Sequence, residues 1–358
     1  DGMNIESLNG TKPTVGIENY PKVEAPYKYS ARHVIDDYFT YDMPIGYFLP
    51  NDGYGAGYGQ NGYGKTGGVD NEGKSSQERL AAVAANVQNL ADFTKYANEK
   101  GVATGLWTQS YLTPDSNPKT EWQLLRDFKN EVKVGGVSTL KTDVAWVGHG
   151  YSMQLDGVKT AYDIATTEGK VRPNIISLDG WAGSQRYCGI WTGDQYGGEW
   201  EYIRFHIPTY IGTSLSGNPN IGSDMDGIFG GNQLIATRDY QWKSFTPLML
   251  NMDGWGTYAK MPYTFGDPYT GINRMYLKTK AQLLPYIYTG AASAANIDTG
   301  NGDTGLPLIR AMFLEYPDDS YASSKEMQYQ YMLGSNLLVA PIYKSTAADE
   351  KGNDVRNN

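Results

Sequence analysis

The sequence has little that would support a disulfide, a metal centre or contact with nucleic acid. Its 358 residues include one cysteine, Cys188, and three histidines, His33, His149 and His206. A lone thiol cannot form an internal disulfide, and no two of the histidines have the spacing of metal ligands. The chain carries 30 basic and 39 acidic residues, a net charge of -9, without a Lys/Arg cluster. Nucleic acid and anionic membranes are therefore poor partners.

Long apolar runs are also lacking, whereas aromatic residues and glycine are abundant. No run approaches the roughly 18 residues of a membrane span, and the opening DGMNIESLNG has neither the basic nor the apolar region of a signal peptide. The sequence contains 29 Tyr, 8 Trp and 43 Gly. Tyr and Trp combine an apolar face with a polar tip, which suits stacking on a sugar ring, although tyrosines also pack ordinary cores.

The stretch GQNGYGKT, residues 59–66, satisfies the phosphate-binding spacing G-x-x-x-x-G-K-[ST]. Such a loop must leave a buried strand directly and open a helix. The nearest strand-like run stops at Pro50, and the glycines after Lys65-Thr66 disfavour a helix. We therefore interpret residues 51–68 as a Gly/Tyr loop rather than a nucleotide site.

Strand-like and helical segments alternate along most of the chain. Residues 1–40 are polar, with three prolines and no clear period, and are interpreted as a loop or insertion. A capping box at 75–78 and apolar residues at 3.6-residue spacing predict a helix that Gly101 ends. Strand-like segments lie at 44–50, 102–107, 138–144, 175–179, 188–193, 220–226 and 307–313, and further helices are predicted after Pro118, at about 199–214 and at about 271–291.

Repeated strand–helix units predict the α/β class with a parallel sheet, either open or closed into a (β/α)8 TIM-type barrel. The closed barrel is favoured because polar and acidic residues follow several strands, and in a barrel those strand ends converge on one mouth. These residues are Asp52, Gln109, Asp143, Asp179, Asp194 and Asp224. The predicted division is a loop or insertion over 1–43, the barrel over 44–343, and a polar tail or the start of a following domain over 344–358.

Two of these aspartates, Asp143 in LKTDVAW and Asp194 in WTGDQ, end apolar strands beside tryptophans. Two carboxylates that converge on a barrel mouth are the minimum apparatus for breaking a glycosidic bond. The alternative is that each aspartate caps the helix that follows its strand. The pattern by itself leaves both interpretations open.

Residues 182–231 resemble the acid/base region of glycoside hydrolase family 31. The family's elements A-G-S-Q-R-Y, W-[ST]-G-D, L-S-G and G-x-D-x-x-G occur here in the same order. LKTDVAW looks like the family's nucleophile strand and QLLPYIY like its L-L-P-Y-x-Y helix. PLIRAMFLEYPDD and YMLGSNLLVAPIY look like its closing elements. The resemblance covers roughly residues 44–343 and is far more specific than any single motif.

The resemblance implies a retaining enzyme that needs no cofactor, with Asp143 as nucleophile and Asp194 as acid/base. Double displacement would place the two carboxyl groups about 5 to 5.5 Å apart. An α-glucan or oligosaccharide is the implied substrate. The implied substrate-binding residues are Asp52, Tyr54, Trp107, Arg186, Trp191, Asp224, Met252 and Asp253.

The sequence departs from the family pattern at residues that usually clamp a terminal glucose. Leu178 stands where most members have an Arg upstream of the acid/base, and Leu250 and Met252 replace the Arg and His of an R-x-H element. LPNDGYGAGYG and LNMDGWG look most like the branch of isomaltosyltransferases and cycloalternan-forming enzymes. The leading hypothesis is transfer of an isomaltosyl or glucosyl unit through a covalent glycosyl-Asp intermediate. The alternatives are an α-glucosidase or other α-glucan hydrolase and, further off, a catalytically silent sugar-binding barrel.

The number of predicted strands indicates that the complete barrel includes polypeptide beyond these 358 residues. Family 31 barrels carry the nucleophile on strand 4 and the acid/base on strand 6, whereas counting from residue 44 puts Asp143 on the third strand and Asp194 on the fifth. A barrel that lacks a strand would expose two unpaired edges, which proteins seldom tolerate. We therefore expect an upstream first strand and additional β-domains in a longer polypeptide. The resemblance also implies an extracellular or cell-surface location, with the cytoplasm left open.

Overall fold

A computed structural model divides the chain into two compact units, which are described separately. The first unit comprises Asn4–Thr40 and Ile45–Cys188, and the second comprises Asp1–Met3, Tyr41–Pro44 and Gly189–Asn358. The structure describes residues 8–10, 30–50, 76–108, 112, 127–143, 154–169, 171–178, 180–252 and 259–345. The GQNGYGKT motif lies outside these residues.

The first unit alternates helices with parallel strands, as predicted. Its elements are α1 (Ala31–Thr40), β1 (Tyr47–Phe48), α2 (Ser76–Glu99), β2 (Ala103–Thr108), α3 (Phe128–Lys133), β3 (Thr139–Thr142), α4 (Gln154–Glu168), β4 (Asn174–Ser177) and a 3-10 helix (Ser184–Arg186). β1 pairs with β2, β2 with β3 and β3 with β4, all in parallel. The carboxyl ends of these strands therefore lie at one edge.

Burial and glycine explain why these segments form where they do. β3 is buried at every position and β2 at all but its first, which is typical of parallel strands that are covered on both faces. Gly101, two residues after the end of α2, adopts a φ of +74°, and the Val102 amide donates to the Ala97 carbonyl at 2.9 Å. This left-handed residue ends the helix where the sequence predicted.

The sequence predicts a loop or insertion over residues 1–40, and helix α1 shows that the loop alternative is wrong for residues 31–40. Ala31, Val34, Ile35 and Tyr38 are buried, and this i, i+3, i+4, i+7 spacing forms one apolar helix face. The helix is short, so the pattern repeats only twice after a polar, proline-containing segment. Helical periodicity is difficult to recognise over so few turns.

The second unit also begins with strand–helix alternation. Its elements are β5 (Gly189–Trp191), α5 (Trp200–Leu215), β6 (Ile221–Gly222), α6 (Gln233–Lys243), α7 (Tyr269–Ala294), β7 (Ile309–Arg310), α8 (Met312–Glu315), 3-10 helices (Ser320–Ser323 and Lys325–Tyr329), β8 (Tyr331–Leu333) and β9 (Leu337–Val339). β5 and β6 are parallel, and a parallel bridge joins Asp224 to Leu250 beyond them. The predicted helices at 199–214 and 271–291 correspond to α5 and α7.

Strand β7 corrects the interpretation of segment 307–313 as one of the parallel strands. It pairs antiparallel with β8, and β8 pairs antiparallel with β9. A short buried apolar run has the same appearance in either kind of pairing, so the sequence did not indicate the strand direction. In the part of the chain that the structure describes, no helix has the length and apolar character to cross a membrane.

Candidate active site

In the first unit, the predicted nucleophile Asp143 directly follows β3 and is held by Trp107 of β2. The indole Nε1 of Trp107 donates to Asp143 Oδ2 at 2.9 Å, and the Asp143 amide donates to the Thr108 carbonyl at 2.9 Å. Trp107 is only 2% exposed, so its packing fixes the direction of the N–H. Two residues that the sequence predicted for one site therefore contact each other.

In the second unit, the predicted acid/base Asp194 lies beyond β5 with its side chain exposed. Gly193 just before it has a φ of +88°, which turns the chain out of the strand. Helix α5, which follows, has Glu199 as its N-cap residue. The alternative that Asp194 caps this helix is therefore wrong.

Asp224 follows β6 and repeats the arrangement seen at Asp143. The buried Trp191 at the end of β5 donates from Nε1 to Asp224 Oδ1 at 2.9 Å. The Asp224 carbonyl accepts from the Tyr202 hydroxyl and, at 2.7 Å, from the Lys243 ammonium. In both units, a buried indole on one strand thus orients the aspartate after the next strand.

His206, which has no other histidine at metal-ligand spacing in the sequence, supports the turn that carries Asp194. Burial, followed by the charge of Lys243, lowers the pKa of His206 to about 3, so its ring is neutral. Nδ1 lies 2.7 Å from the Tyr202 carbonyl and must donate to it, which leaves Nε2 to accept from the Thr192 hydroxyl at 3.0 Å. Thr192 is thereby fixed two residues before Asp194.

Acidification is expected to destabilise the protein through His206. The unfolded state takes up a proton near pH 6.5, whereas the folded state resists it to about pH 3. Because the unfolded state binds more protons between these values, the free energy of unfolding falls as the pH is lowered through this window, by about 5 kcal/mol over the whole window and about 3 kcal/mol between pH 7 and pH 4. Urea unfolding between pH 7 and pH 4 measures this change.

His206→Asn is the matched variant for the pH series, because it keeps a polar side chain that does not titrate. Its stability should depend less steeply on pH than that of the unmodified protein, whatever its stability at pH 7. Other titrating groups are present in both proteins and cancel in the difference. Identical slopes would contradict a neutral, buried His206.

A buried charge cluster behind Asp224 was missed by the sequence analysis. Lys243 Nζ and Asp239 Oδ2 lie 2.5 Å apart with both side chains fully buried, and the Asp226 amide donates to Asp239 Oδ2 at 2.9 Å. Burial lowers the pKa of Lys243, although the Asp239 charge opposes the shift. Burial also raises the pKa of Asp226 to about 6. The available signal was the i, i+4 spacing of Asp239 and Lys243 on α6.

The two residues that replace the Arg and His of the family's R-x-H element, Leu250 and Met252, are buried. Leu250 is 3% exposed and Met252 is 8% exposed. The nearby Lys260, also buried, donates to the carbonyls of Met252 and Gly227. An ammonium thus ties the backbone beyond Leu250 to the loop after β6. A substrate-binding role for Met252 stays a prediction.

The remaining predicted residues are placed as follows. Arg186 lies exposed in the 3-10 helix of the first unit. Asp52, Tyr54 and Asp253 lie outside the described residues. The distance between the carboxyl groups of Asp143 and Asp194, which belong to different compact units, stays a prediction. Among the described residues, no three His, Cys, Asp or Glu side chains are grouped as metal ligands would be.

Comparison with known families decides the fold class. Residues 75–290 match the model of the "Glycosyl hydrolases family 31 TIM-barrel domain", and residues 305–353 match that of the "Glycosyl hydrolase family 31 C-terminal domain". The chain belongs to glycosyl hydrolase family 31. The parallel strands are accordingly those of a TIM-type barrel, as predicted, and the antiparallel β7–β9 sheet falls within the second match. The predicted division at residues 43 and 343 stays a prediction.

Two curated relatives and one solved structure show how far the family 31 likeness extends. Alpha-glucosidase 2 of Bacillus thermoamyloliquefaciens is 34% identical over 172 residues, 48% of this chain and 21% of the relative. Neutral alpha-glucosidase C of Homo sapiens is 31% identical over 273 residues, 73% and 29% respectively. The chain thus spans less than a third of either relative.

The solved structure is the cycloalternan-degrading enzyme from Trueperella pyogenes. It superposes with a TM-score of 0.65 at 20% identity, and the alignment covers 88% of this chain and 54% of that one. At this identity the likeness concerns the fold alone.

Proposed function

We propose that this family 31 chain acts on α-glucan oligosaccharides by retaining double displacement, with Asp143 as nucleophile and Asp194 as acid/base. The observation that carries the proposal is the hydrogen bond from the buried Trp107 indole to Asp143 Oδ2. It presents an oriented carboxylate at the carboxyl end of a barrel strand, where the active sites of TIM-barrel enzymes lie. The alpha-glucosidase names of the curated relatives support the substrate class.

In the proposed reaction, each carboxyl group has one task in each step. The ionised Asp143 attacks the anomeric carbon while Asp194 protonates the leaving oxygen, which gives a glycosyl ester on Asp143. Asp194 then takes a proton from water or from a sugar hydroxyl, and that oxygen displaces Asp143. Asp224, oriented by Trp191, would accept hydrogen bonds from hydroxyls of the bound sugar.

We further propose that a sugar hydroxyl competes well with water in the second step, so that an isomaltosyl or glucosyl unit is transferred. Leu250 and Met252 support this, because apolar side chains at these positions offer a terminal glucose fewer donors and leave more of the binding to neighbouring subsites. The sequence likeness of LPNDGYGAGYG to the isomaltosyltransferase branch points the same way. Hydrolysis is the second candidate, supported by the relatives' names.

Incubation with panose, an isomaltosyl-ended trisaccharide, tests both the retaining mechanism and the preference for transfer over hydrolysis. Proton NMR should show an α-configured product first, and chromatography should show products longer than panose. Free sugars without longer products would establish a hydrolase. A β-configured first product would contradict retention, and the absence of turnover would favour the silent sugar-binding barrel.

A further inference from the structure

Tyr196 is the most exposed of the large hydrophobic side chains that the structure describes, at 82%. Its ring nevertheless stacks on that of Phe229, with centroids 5.0 Å apart and planes 29° apart. Tyr196 lies on the loop after β5, two residues beyond Asp194, and Phe229 lies on the loop after β6. A single exposed aromatic residue needs no explanation, so the significance of this pair depends on how the two loops are held.

The two loops are joined by hydrogen bonds on both sides of the aromatic pair. The Ile228 amide donates to the Gln195 carbonyl at 3.0 Å. The Asp226 carboxylate accepts from the Gly198 amide at 2.6 Å and from the Asn232 amide at 3.1 Å. The backbone next to both rings is therefore fixed, and the stacked pair is preorganised.

Glycine allows the two loops to approach this closely. A Cβ atom at Gly197 would lie 1.7 Å from the Asp226 carbonyl oxygen, and one at Gly227 would lie 2.3 Å from the Gln195 carbonyl oxygen. Neither position can carry a side chain unless the loops separate. No side chain therefore lies between the two loops at Gly197 and Gly227, whereas the adjacent Tyr196 presents a large ring to solvent.

The position of Tyr196 relative to Asp194 indicates which part of a substrate the ring would meet. Two residues of chain span at most about 7 Å. The Cα atom of Tyr196 therefore lies within about the length of one sugar from that of Asp194, the proposed acid/base. Asp194 would protonate the oxygen that joins the cleaved sugar to the next one. The residues just inside, Trp191 and Asp224, are buried and would face the cleaved sugar, so the exposed ring is placed for the next sugar.

We infer that Tyr196, backed by Phe229, is a stacking platform for the pyranose ring on the leaving-group and acceptor side of the cleaved bond. The inference rests on the proposed function. The C–H face of a pyranose packs on an aromatic face while its hydroxyls remain in water, and the Tyr hydroxyl adds a polar contact at the rim. A platform that is already ordered loses less conformational entropy when it binds a sugar.

The experiment compares two substrates that differ in what occupies this side of the bond. Maltotriose places sugar on the platform, whereas α-glucosyl fluoride has only fluoride there. Tyr196→Ala should lower kcat/KM for maltotriose about 5- to 10-fold, mainly through KM, the size expected of one aromatic stacking contact. The loss with α-glucosyl fluoride should stay below about 2-fold, because fluoride does not stack on the ring.

Two control variants sharpen the comparison. Tyr196→Phe keeps the ring and should retain most of the maltotriose activity. Tyr321→Ala removes a tyrosine that is 56% exposed, on the 3-10 helix Ser320–Ser323. It should leave kcat/KM unchanged for both substrates. Equal losses with both substrates for Tyr196→Ala would mean that the ring only supports the loop, and an unchanged KM for maltotriose would overturn the platform outright.

A binding measurement separates failure of the platform from failure of the proposed reaction. If the unmodified protein turns over neither of these substrates nor panose, the proposed function is wrong, and calorimetry with maltotriose still tests the ring. In an Asp143→Asn background, adding Tyr196→Ala should raise Kd about 5- to 10-fold, as for the loss of one stacking contact. An unchanged Kd, or no binding by the Asp143→Asn protein, would overturn the platform.

Discussion

Replacing Asp143 by glycine is expected to reduce turnover of α-glucosyl fluoride by on the order of 10⁴-fold, because it removes the proposed nucleophile that forms the covalent intermediate. The loss should appear in kcat, since the substrate-binding side chains remain. Fluoride leaves without a proton, so this substrate isolates the nucleophile from the acid/base. Steady-state fluoride release, followed with an ion-selective electrode, measures the effect.

Azide identifies the role of Asp143 by stereochemistry. In Asp143→Gly, an azide ion in the space of the carboxylate can attack the anomeric carbon directly, from the face opposite to the fluoride. One displacement inverts the centre, so the product should be β-glucosyl azide. Trp107→Phe is the matched control, because it keeps an aromatic side chain and removes the indole N–H that reaches Asp143 Oδ2.

Trp107→Phe should lose far less activity than Asp143→Gly and should gain nothing from azide, since its nucleophile is present. Normal turnover in Asp143→Gly would disprove the nucleophile. So would rescue by azide with formation of the α-azide, because that product requires two displacements.

Much of the barrel could be predicted because its elements are long or strongly patterned. Helix α2 has apolar residues at regular helical spacing and a glycine after its last turn, and both features could be recognised in the sequence. The sequence analysis missed α1, whose fewer than three turns give too few repeats, and the direction of β7, which depends on the strand it pairs with. A short, mostly apolar segment carries no information about whether its neighbour runs parallel or antiparallel.

The acidic residues of the candidate site could be predicted from the sequence, but the hydrogen bonds that orient them could not. Asp143, Asp194 and Asp224 were recognisable as acids that follow strands. The bond from Trp191 to Asp224 depends on the β5–β6 register, which no single motif encodes. The buried Asp239–Lys243 pair was missed because charged residues on a helix usually face solvent.

Replacing Asp194 by alanine is expected to reduce turnover of maltotriose by about 10²- to 10⁴-fold, the usual contribution of a general acid or base. A sugar is a poor leaving group and needs the proton, whereas fluoride does not. The first step with α-glucosyl fluoride should therefore proceed, and the glycosyl ester on Asp143 should accumulate because water is no longer deprotonated. A burst of fluoride release followed by slow turnover is the expected trace.

Azide should restore turnover of α-glucosyl fluoride by Asp194→Ala, because it attacks the ester without the help of a base. Two displacements then occur, so the product should be α-glucosyl azide, the opposite anomer to that from Asp143→Gly. Glu199→Gln is the matched control, because Glu199 is an exposed carboxylate on the same segment whose side chain forms no capping bond, and it should retain activity. Only two carboxylates with separate roles on one anomeric centre give opposite azides. The same anomer from both variants, or a comparable loss in Glu199→Gln, would refute the proposed roles of Asp143 and Asp194.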